Sequence, residues 1–273
     1  MKTKLTKVVS GVAVAFAAAA FAPGASAQNT AAVYPVRLTL RPQTIPQRTV
    51  RIDAGFGATR AEVCFTLLGG RTCGGATSTV LSVGGAYGIL DDLEVGATVL
   101  PLQLTDDFAY LNPSVYGRYR FLRNDQMQFA ADLTLTFPAR SGTSFGMSVG
   151  VPAWFYINEA FQIQTGLYYQ AVFSDPVSHG LWLPGVFNIN ATDNLHIGIR
   201  TGLSLPFRNT GDTLSLPLGV EVGYAIAQAN NRPIVDIVPY FNFPFFLTPG
   251  SSGDVVQTGL WTTGVNARVY LFL

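Results

Sequence analysis

Ten ionisable side chains recur at alternating positions along this chain: Arg51, Asp53, Glu94, Arg118, Arg120, Asp132, Arg200, Glu221, Asp236 and Arg268. Five are cationic and five anionic, and each falls on the parity opposite to the apolar residues of its own segment. Guanidinium and carboxylate groups gathered on one face can do two things. They can form a charged constriction that filters solutes, as rings of charged side chains do in pores, or they can pair into a plug that holds a wall together. Register sets three pairs of them face to face on neighbouring strands, which leaves both readings open. A three-residue turn at Asn124 to Gln126 sets Arg118 opposite Asp132, and a four-residue loop from Asn209 to Asp212 sets Arg200 opposite Glu221. Pairing of the last two segments about Ser252 sets Asp236 opposite Arg268.

Other chemistries find little support. His179 and Ser178 are adjacent, so in a strand they point to opposite sides, and no third group orients them as a nucleophile and base require. His196, next to a tight turn, reads as structural. Two cysteines and two distant histidines are too few for a metal site. A glycine-rich phosphate loop between strand and helix is missing, as is any cofactor box, and the near-neutral charge offers no basic patch for nucleic acid. The expectation is a non-enzyme without cofactor.

The elements that carry these charges have a period of two. From Phe161 to Phe173 the odd positions are mostly apolar while Gln162, Gln164 and Gln170 lie on the other face, and the same split recurs from Leu195 to Arg208. A helix would scatter such residues around its circumference. Twelve segments of this kind are predicted, at about 49–60, 78–89, 93–104, 112–123, 127–139, 145–157, 160–174, 181–190, 195–209, 213–227, 233–248 and 255–273. Very short turns (Asp91-Asp92, Asn124-Asp125, Asn158-Glu159, Asp193-Asn194) alternate with Gly/Ser/Pro-containing loops. Mean hydropathy is +0.30 with only 12% charged residues, yet no apolar stretch after Gln28 approaches the roughly 20 residues of a spanning helix. Excess hydrophobicity with period two leaves one membrane solution, a closed barrel. The predicted fold is an all-β, transmembrane, antiparallel up-and-down β-barrel of about twelve strands, with the ten charges lining the lumen. Soluble sandwiches are disfavoured, because two packed sheets do not need twelve strong apolar faces.

Three lysines, an apolar run from Val8 to Ala22 and Ala25-Ser26-Ala27 give residues 1–27 the layout of a cleaved signal peptide. All the lysines lie there, so their removal takes the net charge from +1 to −2. Residues 28–48 form an N-terminal segment on the periplasmic side, either an extension or tucked into the lumen, and 49–273 form the barrel. Export to an oxidising compartment suggests that Cys64 and Cys73 close a disulfide-braced first outer loop. Phe145 and Phe155, ten residues apart, would mark the two edges of a lipid band about 25 Å tall.

The stretch Gly88 to Gly96, followed by Asn112 to Phe121, resembles outer-membrane porins or transporters grouped with the phenol-degradation-pathway porin family. An acidic turn leads into a strand, and an Asn-Pro then leads into an aromatic and arginine-bearing strand. This resemblance implies passive passage of small solutes across a bacterial outer membrane. The final strand, Val269 to Leu273, partly resembles the signal read by the barrel-assembly machinery, although it ends in Leu273 where phenylalanine is usual. Expected partners are therefore outer-membrane lipid, that machinery and small solutes. A lipid-modifying outer-membrane enzyme and a plugged structural barrel stand as alternatives.

Overall fold

A computed structural model of the chain describes residues 34–67, 70–105, 108–207, 214–228, 232–248, 256 and 258–273, with the backbone alone at 63–67 and 70–73. The expected signal peptide lies outside the described residues. Among the described residues, thirteen strands follow one 3-10 turn at Leu38–Leu40. They are β1 (Thr49–Leu67), β2 (Gly70–Leu90), β3 (Leu93–Gln103), β4 (Ala109–Tyr110), β5 (Ser114–Arg123), β6 (Met127–Thr136), β7 (Gly146–Asn158), β8 (Phe161–Val172), β9 (Ser178–Asn190), β10 (Leu195–Pro206), β11 (Leu216–Ala227), β12 (Pro233–Leu247) and β13 (Leu260–Phe272).

Twelve of these close into one antiparallel ring, and β4 is a two-residue addition beside the end of β3. Each strand pairs with its neighbour in the chain, β3 pairs with β5, and β1 pairs with β13 through thirteen consecutive residues from Thr49↔Phe272 to Ala61↔Leu260. Closure leaves no unpaired edge, which is what a sheet surrounded by hydrocarbon requires. Among the described residues no helix is long and apolar enough to cross a membrane. That statement does not bear on strands.

Alternation places two chemically opposite surfaces on this wall. Outward-facing side chains such as Ile52, Phe56, Val95, Val151, Leu167, Ile199, Val220 and Ile237 are all exposed. A continuous apolar belt of that size on a monomer marks contact with another apolar phase, here the acyl chains. Phenylalanines edge it. Phe121, Phe129 and Phe155 neighbour one another at the end with the short turns, with ring centroids 6.5 and 5.9 Å apart. Phe137, Phe145 and Phe173 do so at the other end, at 5.8 and 5.6 Å. Aromatic girdles at both interfaces are characteristic of such barrels, and short turns mark the periplasmic side.

The first outer connection differs from expectation. Instead of a loop over residues 61–77, β1 and β2 stay paired from Val50↔Tyr87 to Leu67↔Gly70, so the segment is a long hairpin. Small and β-branched residues on both arms (Ala58, Thr59, Ala61 against Ala76, Thr77, Ser78) permit this continuation. Cys64 lies directly opposite Cys73 in the hairpin, while their side chains, and with them the expected bridge, lie outside the described residues.

Replacing Val220 on the lipid face with Arg should destabilise the barrel by about 2 to 4 kcal/mol if the site lies at midplane. Equilibrium unfolding in lipid vesicles would measure this, and an unchanged midpoint would contradict the assigned outer face.

Candidate functional site

Residues 34–47 run across the short-turn mouth of the barrel, inside the wall. Their partners span nearly the whole circumference. Thr39 Oγ1 donates to the carbonyl of Glu159 in the β7–β8 turn and accepts from Asn190 on β9, both at 2.5 Å. Thr44 Oγ1 donates to the Asp91 carbonyl in the β2–β3 turn at 2.6 Å. The Gln43 N–H reaches Gln128 on β6 at 3.0 Å, and the Ile45 N–H reaches the Glu94 carboxylate on β3 at 2.8 Å. Two bonds return from the wall: Arg118 to the Gln43 carbonyl at 3.1 Å and Tyr156 to the Arg41 carbonyl at 2.9 Å. The segment is a plug.

Arg41 anchors it. Its side chain, 3% exposed, uses all five guanidinium N–H donors. Nε donates to the Pro35 carbonyl at 2.9 Å. One Nη2 proton goes to the Val36 carbonyl at 2.8 Å and the other to Asp236 Oδ1 at 2.9 Å. Nη1 reaches Asp236 Oδ2 and, at 3.3 Å, the Tyr270 hydroxyl. Tyr270 also donates to Asp236 at 2.8 Å. The rings of Tyr34 and Tyr270 lie 5.4 and 5.6 Å from the guanidinium carbon, within cation–π range. Burial opposes the arginine's charge, but Tyr270, Asp236 and Tyr34 together hold its pKa above the usual guanidinium value. The 3-10 turn at Leu38–Leu40 folds the chain back so that Arg41 can reach carbonyls five and six residues upstream.

Packing completes the plug. Tyr34 and Ile45 form a small apolar cluster with Ala86 and Tyr270, flanked by Tyr116 and Phe272. Gly88 permits the approach, because a Cβ there would collide with the carbonyl oxygens of Pro46 and Ile45. At the solvent edge Arg37 bridges Glu159 at 2.9 Å and Asp193 at 2.5 Å, and its hydrogen bond to Asp193 raises its pKa. Arg48, with φ of 59°, turns the chain sharply into β1.

The wall charges sort as follows. Arg118 and Asp132 are directly opposite and paired bidentately at 2.7 and 2.8 Å. Glu94, 1% exposed and directly opposite Arg118, lies 3.9 Å from it and accepts from Tyr116 at 3.2 Å. Arg51 pairs with Asp53 on its own strand at 3.0 Å and with Tyr116. Arg120, buried near the mouth, binds Asp92 and Gln128. One register expectation changes, and in a second the register holds but the ion pair differs. Arg200 lies opposite Gly219, and Glu221 opposite Gly198, so the expected Arg200–Glu221 pair is shifted by two residues and survives as a diagonal contact at 3.4 Å. The same shift is present at the end of β10, where Ser204 bridges Ser215 rather than Pro217; β10 ends at Pro206 and β11 begins at Leu216, so the connection is longer than the four residues assumed and does not fix the register. Asp236 does lie opposite Arg268, but its ion pair is with Arg41. Arg268 is left 3.9 Å from Asp53. No sequence pattern announced Arg41, since it lies outside the alternating segments; its flanking prolines, Pro35, Pro42 and Pro46, were the only local sign of fixed structure.

Above the plug the lumen holds a cavity of about 400 Å³, lined among others by Gln43, Trp154, Tyr168, Asn188 and His196. A second, of about 420 Å³, shares Pro184, Val186 and Arg200 with it and extends towards the long-loop end past Ser204, Asn242 and Thr262. Ser178 and His179 sit at that end. His179 contacts the Tyr169 hydroxyl at 3.3 Å and packs on Phe207, and among the described residues its neighbours are aromatic and include no acid. Among the described residues no group of His, Cys, Asp and Glu could hold a metal ion.

In comparisons with solved structures, the chain is similar to an outer-membrane channel from Pseudomonas putida F1, with a TM-score of 0.57 and 10% identity over 89% of this chain and 100% of that one. It is also similar to the NanC porin, with a TM-score of 0.53 and 8% identity over 79% of this chain and 100% of that one. No family model and no curated protein sequence matches it. The fold is thus that of bacterial outer-membrane porin and channel barrels.

Asp236→Ala leaves the Arg41 charge buried and unpaired, at a cost of about 3 to 5 kcal/mol. The plug should leave the mouth, and trypsin should then cut after Arg37 in the refolded barrel. N-terminal sequencing would detect the cut; equal protection in variant and native protein would refute the anchoring role.

Proposed function

We propose that this barrel is a channel for passive passage of small solutes across the outer membrane, narrowed at its periplasmic mouth by residues 34–47. The observation that carries this reading is the layout of the lumen. Two cavities, of about 400 and 420 Å³, run inward from the long-loop end and stop at a segment that joins the wall through Arg48 and is otherwise held by hydrogen bonds, one buried ion pair and a small apolar cluster. Such contacts exchange with water far more readily than a strand leaves a sheet. The likeness in fold to outer-membrane channels supports the same reading. The ten wall charges then act in two groups, some fixing the plug and some facing the solute. Among the described residues no acid orients His179, and it adjoins Ser178 on alternate sides of β9, which speaks against a lipid-cleaving enzyme.

Single-channel recording in planar bilayers tests this directly. Removing residues 34–47 should raise conductance by at least about threefold over the native barrel, because pore resistance follows its narrowest section. Absence of conductance in both proteins would overturn the channel reading and leave a plugged structural barrel.

Within the same reading, Cys64 and Cys73 are proposed to bridge and to brace the exposed hairpin, since directly opposed cross-strand residues have Cα atoms at distances a disulfide accepts. Intact-mass measurement without reductant should find the chain lighter by two hydrogen atoms than after reduction. Equal masses would refute the bridge.

A further inference from the structure

The wall charges balance in number, but not in what they present to the lumen. Five arginines line the cavity above the plug, Arg41, Arg51, Arg118, Arg200 and Arg268, against a single carboxylate, Glu221. Of the other wall acids, Glu94, Asp236 and Asp132 stand behind them, with side chains 1%, 3% and 11% exposed, while Asp53, 33% exposed, pairs with Arg51 and is not part of the cavity lining. An ion in the cavity therefore meets guanidinium groups first.

The arginines also differ in what they have left to offer. Arg41 has no free N–H, and Arg118 spends its donors on Asp132 and the Gln43 carbonyl. Among the described residues Arg200 has one loose contact, to Glu221 at 3.4 Å, and Arg268, directly opposite the buried Asp236, has its one ion pair with Asp53 at 3.9 Å, beyond hydrogen-bond distance. Their side chains are 46% and 38% exposed. A planar fork with unused donors facing an enclosed space is the geometry that recognises a carboxylate bidentately. An independent observation lies in the lining of the same cavity. The Gln43 side chain, 3% exposed and lining the cavity, has no partner for either its amide nitrogen or its oxygen, and Asn188 Oδ1 is likewise unpartnered. Buried amides are seldom left so, and these unused polar groups belong to residues that line the cavity the two arginines face.

We infer that this cavity binds small organic carboxylates and makes the channel prefer anions, an inference that rests on the channel reading and names its solute class. The closing experiment uses the full barrel in planar bilayers, with benzoate as probe and benzamide as its uncharged counterpart. The reversal potential in a potassium chloride gradient should give an anion-to-cation permeability ratio above about three, since lumen charge sets selectivity. The double substitution Arg200→Gln, Arg268→Gln should bring that ratio close to one. Benzoate, but not benzamide, should reduce the chloride current of the native barrel, and the double variant should lose this block. A cation preference, or equal effects of benzoate and benzamide, would overturn the inference while leaving the channel intact. Should the barrel conduct nothing even without residues 34–47, the channel reading fails; benzoate quenching of Trp154 fluorescence in detergent, absent in the double variant, would then still support the binding site, and its absence would end that too.

Discussion

Everything in this fold follows from the absence of water in the hydrocarbon core. Each backbone N–H and C=O at that depth needs a partner within the protein, and the ring meets the demand by pairing β1 with β13 along thirteen residues. Once the sheet is closed, side-chain direction is no longer a matter of degree: every residue of a strand faces either lipid or lumen. The alternation of Val, Ile and Leu with Gln, Asn, Arg and Asp is the covalent record of that choice.

Closure also creates a confined interior, and there the balance of terms is different. Arg41 and Asp236 are both almost wholly enclosed, an arrangement in which desolvation costs several kcal/mol per ion and is offset only by saturated hydrogen bonding. Five donors find five acceptor contacts, two of them on the segment's own carbonyls. The segment carries its own cap for the charge that it brings, and the wall has only to contribute one carboxylate and one phenol. Elsewhere in the lumen the ion pairs are looser and wetter, as at Arg200 and Arg268.

Strand identity was legible in the sequence because lipid contact tolerates few exceptions to the alternation. The Arg118–Asp132 register could be read because its turn is short and fixed: Asn124 Oδ1 accepts from the N–H groups of Gln126 and Met127. Arg200 and Glu221 were misplaced by two residues because a longer connection fixes no register. Local departures from period two were likewise invisible. At the irregularity between Arg120 and Leu122, Phe121 and Leu122 both face outward, and no residue type signals it. The plug was illegible for a deeper reason. A segment that folds against the inside of a barrel needs no periodicity of its own, since its hydrogen-bond partners come from seven different strands and three turns. The long β1–β2 hairpin misled because its glycines and threonines look like loop to a reader of composition, whereas cross-strand pairing had already been established by the residues below.

The seam of the barrel lies beside the residue from which the plug departs. The Arg48 carbonyl accepts from the N–H of Leu273 at 2.9 Å, and the Arg48 N–H donates to Gly88 at 2.9 Å. The two wall residues that grip Arg41 belong to β12 and β13, the last strands to be made. The receptor for the plug is therefore complete only where the first strand meets the last, so closing the ring and enclosing residues 34–47 depend on the same strands. The same seam that finishes the cylinder thus furnishes its stopper.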